Sequence, residues 1–274
     1  MKYLLIILLA MIIIVLYALH WRASIRIHSF LYHRGAAHNH YEFTSQKEQR
    51  KAYIKAMLIL GPSYLSAWAY AVMHRMHHAY ADTDKDPHRP YKGWYGAIKT
   101  SYLTAVRYDA INKRRDFIDI DGCQVKVEER FKKDIMDWPE FDRFFHSIFV
   151  RTLWILLYSF FYYHLLTFFC GPLWILPVMV LLHSIMAPLH GVIINYYAHK
   201  YGHREIETND TSHNLPRLAQ YILRLTGEMD HNRHHANPNN PDFSGNGTEN
   251  LYLYMKNVLQ DKRKAIKLKK PHIM

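Results

Sequence analysis

Three long stretches without a charged side chain constrain this chain more than any other feature. Tyr3 to Leu19 is almost wholly aliphatic, and both Thr152 to Cys170 and Gly171 to Asn195 lack Asp, Glu, Lys and Arg. Each approaches the ~20 apolar residues that cross a hydrocarbon core. Inside that core every backbone polar group must be satisfied internally, so helices are the expected solution. Spans are predicted near residues 3–20, 152–170 and 172–194. The first run follows Lys2 but has no small-x-small cleavage site after it, so it reads as a retained anchor rather than a signal peptide.

A fourth apolar stretch, Ala56 to Met73, is interrupted by Gly61 and Pro62 and carries Ser63, Tyr64 and Ser66. Pro would kink a continuous helix there, so the segment is predicted to be in-plane or re-entrant. If it dips and returns, the regions before and after it share one face. The hairpin of spans two and three, turning at Gly171 and Pro172, then brings the chain back to that face. Arg22, Arg26, Arg34, Lys47, Arg50, Lys51 and the basic tail from Lys256 to Lys270 fall on the same side, which marks it as cytoplasmic. The expected fold is all-α: an integral-membrane helical bundle of about three spans plus one in-plane or re-entrant helix. A cytoplasmic helical cap would complete a single domain over residues 1–274.

The net charge of +12 invites a nucleic-acid reading. Basic residues beside spans are better explained by topology and by contact with anionic membrane lipid. That face would also attract a phosphate-bearing acyl carrier or an acidic electron donor. Cys123 and Cys170 lie in a polar and an apolar segment, which excludes a disulfide framework.

Twenty histidines is the abnormal count. His74, His77 and His78 stand at i, i+3 and i+4, one face of a helix, and His231, His234 and His235 repeat the spacing. His33 and His38 are five apart, off-register for an α-helix, so a helix end or bulge is expected there. Gly35, Ala36 and Ala37 permit close backbone approach. Eight clustered imidazoles exceed the four ligands of a structural zinc site and suit two metal ions in one pocket. Imidazole accepts iron, zinc, copper or nickel. The remaining histidines lack this spacing and read as bystanders: His20, His28, His40, His88, His146, His164, His183, His190, His203, His213 and His272. His183 and His190, seven apart, are the seed of a b-type cytochrome alternative.

The order of these motifs resembles the membrane fatty acid desaturase family, in particular the stearoyl-CoA, delta-9 type and its short bacterial members. His33-Arg-Gly-Ala-Ala-His38 is similar to the first histidine box of that family. His74-Arg-Met-His77-His78 with the following Asp82-Thr-Asp-Lys-Asp86-Pro-His88 is similar to the second, and Asp230-His-Asn-Arg-His-His235 to the third. The resemblance runs from about Trp21 to Asp242. It also picks out Asn195-Tyr-Tyr-Ala-His199-Lys-Tyr-Gly202, an N-x-x-x-H-x-x-G element, with Asn195 and His199 at helical i, i+4 spacing. The resemblance implies that His33, His38, His74, His78 and His234 bind one metal. It implies that His77, His199, His231 and His235 bind the second, with Asn195 acting through a water.

The implied reaction is O2-dependent insertion of a double bond at two ferrous ions, with zinc a ready substitute on aerobic purification. The cofactor carries the hard chemistry while the protein aims it. Implied partners are a fatty acyl substrate (CoA-, carrier protein- or lipid-bound) and a separate electron donor, such as ferredoxin or a cytochrome b5-like protein with its reductase. Asp82, Asp86, Glu228 and Asp230 are candidates to hold ligand imidazoles, at least half of them expected to be ordinary caps or turns. A di-metal hydroxylase or ketolase is the chemical rival, and spacing alone does not separate it. A membrane metal transporter would place its ligands at mid-span rather than beside the spans.

Overall fold

The computed structural model describes residues 2–216, 226–247, 249–260 and 266–268. Parts of the basic tail and His272 therefore lie outside the described residues.

Helix α1, Lys2–Ile27, does not end before the first histidine pair. It widens without a break into a π-helix over His28–Ala37. Leu4, Ile7, Met11, Ile14 and Leu19 are exposed along α1, whereas His33, Arg34, Ala36 and Ala37 are buried. The apolar lipid-like surface thus gives way to protein at the π segment. Arg75 closes the end of that segment, donating from Nε to the Ala37 carbonyl at 2.7 Å and from Nη2 to that of Ala36 at 3.2 Å. Gly35 has no room for a side chain, since a Cβ would lie 2.6 Å from the Tyr41 hydroxyl.

Strand β1, Tyr41–Phe43, leads to α2, Gln46–Leu60. Ser45 caps α2 by accepting from the Glu48 N–H, and Glu48 three residues on completes the sequence pattern of a capping box. A 3-10 turn, Gly61–Ser63, then separates α2 from α3, Ala67–Tyr80, whose cap is Ser66. The two helices meet at 75°. Gly61 adopts φ +53° and Pro62 starts the turn, so the predicted interruption is a sharp bend.

Helix α4 is Gly96–Asn112. Strands β2, Phe117–Ile120, and β3, Cys123–Lys126, follow as a hairpin. The all-α expectation missed it. Asp121 and Gly122 both take positive φ, the two-residue turn that Asp-Gly favours, and alternation buries Ile118, Ile120 and Val125 against α3 and α4. Short helices α5, Glu129–Lys132, and α6, Pro139–Phe145, lead to α7, Ile148–Phe168.

The third predicted span is not one helix. It divides into α8, Ile175–Ser184, and α9, Met186–Asn195, with a 58° bend between them. Pro188 explains the break, because it has no N–H to offer the Ser184 carbonyl four residues back. Ser63, in the bend between α2 and α3, donates to that carbonyl instead at 2.8 Å. Each bend therefore satisfies the other. Among the described residues two helices are long and apolar enough to cross a membrane, or up to four if each bent pair is one span.

A 3-10 turn, Tyr197–His199, follows α9. Among the described residues the chain ends with α10, His231–Ala236, α11, Asn250–Gln260, and β4, Ile266–Leu268, which pairs antiparallel with β1. Leu9 and Ile13 of α1 pack with Tyr162, Leu166 and Met179 of α7 and α8. A second core joins the π segment to α2, α3 and α6 through Leu31, Tyr32, Tyr53, Leu60 and Phe141.

Candidate metal centre

The π-helix resolves the five-residue spacing. The His38 N–H donates to the His33 carbonyl at 3.0 Å, an i+5 bond, and the two rings lie 4.9 Å apart. A wider turn returns to the same face after about one more residue than an α-helix does. On α3, His74 and His78 point one way and His77 to the side. On α10, His231 and His235 point one way and His234 to the side. Each helix thus divides its three rings between two neighbouring positions.

Two groups result: His33, His38, His74, His78 and His234, and His77, His199, His231 and His235, with nitrogens within 4.8 Å of one another in each. His78 Nε2 is 3.0 Å from both His74 Nε2 and His234 Nε2, and His33 Nε2 is 3.0 Å from His234 Nε2. In the other group, His231 Nε2 is 3.0 Å from His199 Nε2. Nitrogens gathered this closely could all reach one metal ion per group at ordinary metal–imidazole bond lengths of ~2.0–2.1 Å. The rings of His78 and His235 are 4.4 Å apart, so the two groups adjoin.

Carboxylates fix the other side of four rings. Nδ1 of His33 is 2.8 Å from Glu228, that of His77 2.9 Å from Asp86, that of His199 3.1 Å from Asp82 and that of His235 2.7 Å from Asp210. Such partners hold the proton on Nδ1 and leave the Nε2 lone pair for metal. Burial works against the charged form of Glu228, yet His33 and Arg34 outweigh it and keep the carboxyl below its usual range. Asp210 is likewise held low against burial by its hydrogen bond with His235. Burial pushes the imidazoles of His231 and His234 well down and that of His235 down to about 4, which keeps them neutral.

The buried Nε2 atoms of His77 and His235 have no partner among the described residues. Their Nδ1 atoms already face Asp86 and Asp210, so two lone pairs are aimed into the second group with nothing to accept. Such orphans are costly unless a ligand satisfies them. The donor set, nine imidazoles in two adjoining groups, fits two metal ions.

Three of the four acids considered from sequence meet a ring, more than expected. Asp230 is the exception and lies 3.9 Å from Arg233. Asp210 was missed: it stands 25 residues from His235 with no periodic relation to it. Asn195 and His199 do not share an α-helical face, because the α-helix ends at Asn195 and tightens into the 3-10 turn that carries His199 toward His231. Asn195 Nδ2 instead lies 3.3 Å from His88 Nδ1. His88, set aside for want of spacing, is buried with its ring 5.2 Å from that of His77. His183 and His190 do not pair across a haem site. His183 meets His20 at 2.7 Å and the Tyr162 hydroxyl at 2.6 Å, whereas the ring of His190 lies 5.2 Å from that of His28.

A cavity of about 310 Å³ opens beside the first group. His33 and His74 form part of its wall, and Leu65, Met73, Val192 and Ile194 give it an apolar lining.

The fatty acid desaturase family profile matches residues 4–243. The chain is 28% identical over 210 residues to Delta-9 desaturase-like 2 protein of Arabidopsis thaliana, covering 76% of this chain and 60% of that one. It is 26% identical over 206 residues to Delta-9 acyl-lipid desaturase 1 of the same plant, covering 75% and 58%. The matched region thus spans about three fifths of the length of these relatives.

Proposed function

Because the chain belongs to the fatty acid desaturase family, we propose that it is a two-iron, O2-dependent acyl desaturase forming a cis double bond, at the delta-9 position. The observation that carries this reading is the pair of adjoining imidazole groups, the first of which borders a largely apolar cavity through His33 and His74. Asn195 is assigned to the second metal through a water. Two ferrous ions held there would supply the reduction of O2 and the oxidation of an unactivated methylene pair.

The chain's own residues do the rest. Glu228, Asp86, Asp82 and Asp210 hold Nδ1 protons, so that each Nε2 faces inward. Leu65, Met73, Val192 and Ile194 exclude water and leave an acyl chain few directions to run in. His33 and His74 lie on the same wall, so the depth to which the chain threads selects the methylenes beside them. Overall, one CH2–CH2 unit, O2, two electrons and two protons become one CH=CH unit and two waters. The electrons come from a separate redox protein.

Protein loaded anaerobically with ferrous iron is expected to hold two ions per chain. It should convert a saturated acyl chain in membranes to its cis-monounsaturated product when O2 and a reducing partner are supplied. One ion per chain, or an alcohol as the sole product, would overturn the assignment. Metal analysis and gas chromatography of the fatty acids read both.

The centre is assigned to the cytoplasmic side. In a background with Cys123 and Cys170 changed to Ser, single cysteines at the exposed positions Arg50, Lys92 and Glu207 should all react from that side. Opposite accessibility of Lys92 and Glu207 would exclude a single centre, because the second and third boxes would then lie across the membrane from one another.

A further inference from the structure

The cavity wall also carries polar residues that belong to neither histidine group. Arg151 in the first turn of α7 lines it, together with His146, Tyr108 and Ser101. Arg151 is the only Lys or Arg among the described residues of the cavity wall. Its Nη2 lies 3.0 Å from Nε2 of His146, and burial pushes His146 down to about 4, so that ring is neutral and accepts. Asp109 also lines the cavity, but it is taken by Lys113 at 2.6 Å. Among the described residues the buried Nε of Arg151 has no partner, and neither has the buried hydroxyl of Ser101.

An arginine at the start of a membrane helix ordinarily turns its head toward water. Here the Nε–H is turned out of solvent, and among the described residues no carboxylate lies within salt-bridge distance of the guanidinium. A half-buried guanidinium with an unused, inward-facing donor is suited to receive an anion. From this geometry we infer that Arg151, with Ser101, binds the polar end of the acyl substrate, and that this end is a single negative charge. A carboxylate and a phosphodiester share that chemistry. A polyanionic carrier such as CoA would call for several cations, and this wall offers one. The inference rests on the acyl-desaturase reading for the identity of the chain that fills the cavity.

Binding to the full-length protein in nanodiscs tests it without turnover. The probes are palmitate, palmitoyl-lysophosphatidylglycerol, palmitoyl-CoA and the uncharged methyl palmitate, compared for the native protein, Arg151→Gln and Arg151→Lys. A charge-assisted contact of this kind corresponds to about 10- to 100-fold in affinity. Arg151→Gln is expected to weaken whichever monoanion binds best by that factor and to leave methyl palmitate unchanged, with Arg151→Lys in between. Preference between palmitate and the lysophospholipid distinguishes a free acid from a lipid-borne chain. Equal loss for methyl palmitate, no loss for either monoanion, or tightest binding of palmitoyl-CoA would overturn the inference. If monoanions bind as expected but the iron-loaded protein forms no alkene, the desaturase reading fails and the Arg151 assignment stands.

Discussion

Alanine at any one of His74, His77, His78, His199, His234 or His235 is expected to abolish desaturation, a loss well beyond 100-fold. The shells have little to spare: five nitrogens in one group and four in the other. Loss of a residue that only orients a ligand costs ~10–100-fold in metal affinity or activity, so loss of the ligand itself should cost more. The residues beneath the ligands supply the comparison. Asp86→Asn and Glu228→Gln keep the shape of the side chain but weaken its grip on a ring N–H, and are expected to fall in that 10–100-fold range. Asn195→Ala should be no worse than these, since a second water can replace part of a water-mediated contact. His164 and His203 are exposed, and their alanine variants should retain near-native activity. The readout is the unsaturated fraction of cellular fatty acids in a strain lacking its own, normalised to membrane protein, with iron content of the purified variants alongside. Near-native activity in His199→Ala together with loss in His203→Ala would dissolve the second group as drawn.

The three histidine clusters were legible because their spacing is local, whereas the division into two groups and the place of His199 came from the family resemblance. An i, i+3, i+4 trio declares its face from spacing alone, and the i+5 pair declares a non-α turn. What joins α3 to α10 is not local, and there the sequence falls silent. Asp210 illustrates this. It closes a turn on Ser212, accepting from that backbone N–H at 2.9 Å through Oδ1, which leaves Oδ2 for His235. The turn could be read from Asp-Thr-Ser, but its target could not. The broken third span has the same character. Pro188 permits a bend without requiring one, and the partner that makes it stable is Ser63, on a segment more than a hundred residues earlier. The Asp121-Gly122 hairpin, by contrast, was readable in principle and was masked by the helical character of everything around it.

Arg34 carries the other large expected effect, although its sequence position pointed only to topology. It is wholly buried, and its fork reaches five groups from different parts of the chain. Nη2 donates to Glu249 at 2.7 Å and to the Thr226 carbonyl at 2.9 Å, Nε to the Pro241 carbonyl at 3.0 Å and Nη1 to the Ser29 hydroxyl. Glu228 lies 3.7 Å from Nη1, and the guanidinium sits 3.7 Å over the Phe243 ring. Phe243 in turn packs 4.1 Å from the His234 ring, and Glu228 holds His33. The residue next to a ligand therefore ties the first box to the C-terminal segment that carries the third. Arg34→Met keeps bulk but strands the buried Glu249 carboxylate and removes the cation beside Glu228, and removing one partner of a buried pair costs ~3–5 kcal/mol. That is a large share of the ~5–15 kcal/mol that stabilises a typical domain. Thermal unfolding in detergent should shift down by roughly 10 °C, with iron lost from the first group before the second. Arg34→Lys should recover little, since an ammonium cannot span these acceptors as a planar fork does. Arg34→Met combined with Glu249→Gln should recover part of the loss, because the second change removes one stranded charge, and neighbours in one network are not additive. A melting temperature within two degrees of native for Arg34→Met would mean that the C-terminal segment is held by its apolar contacts alone.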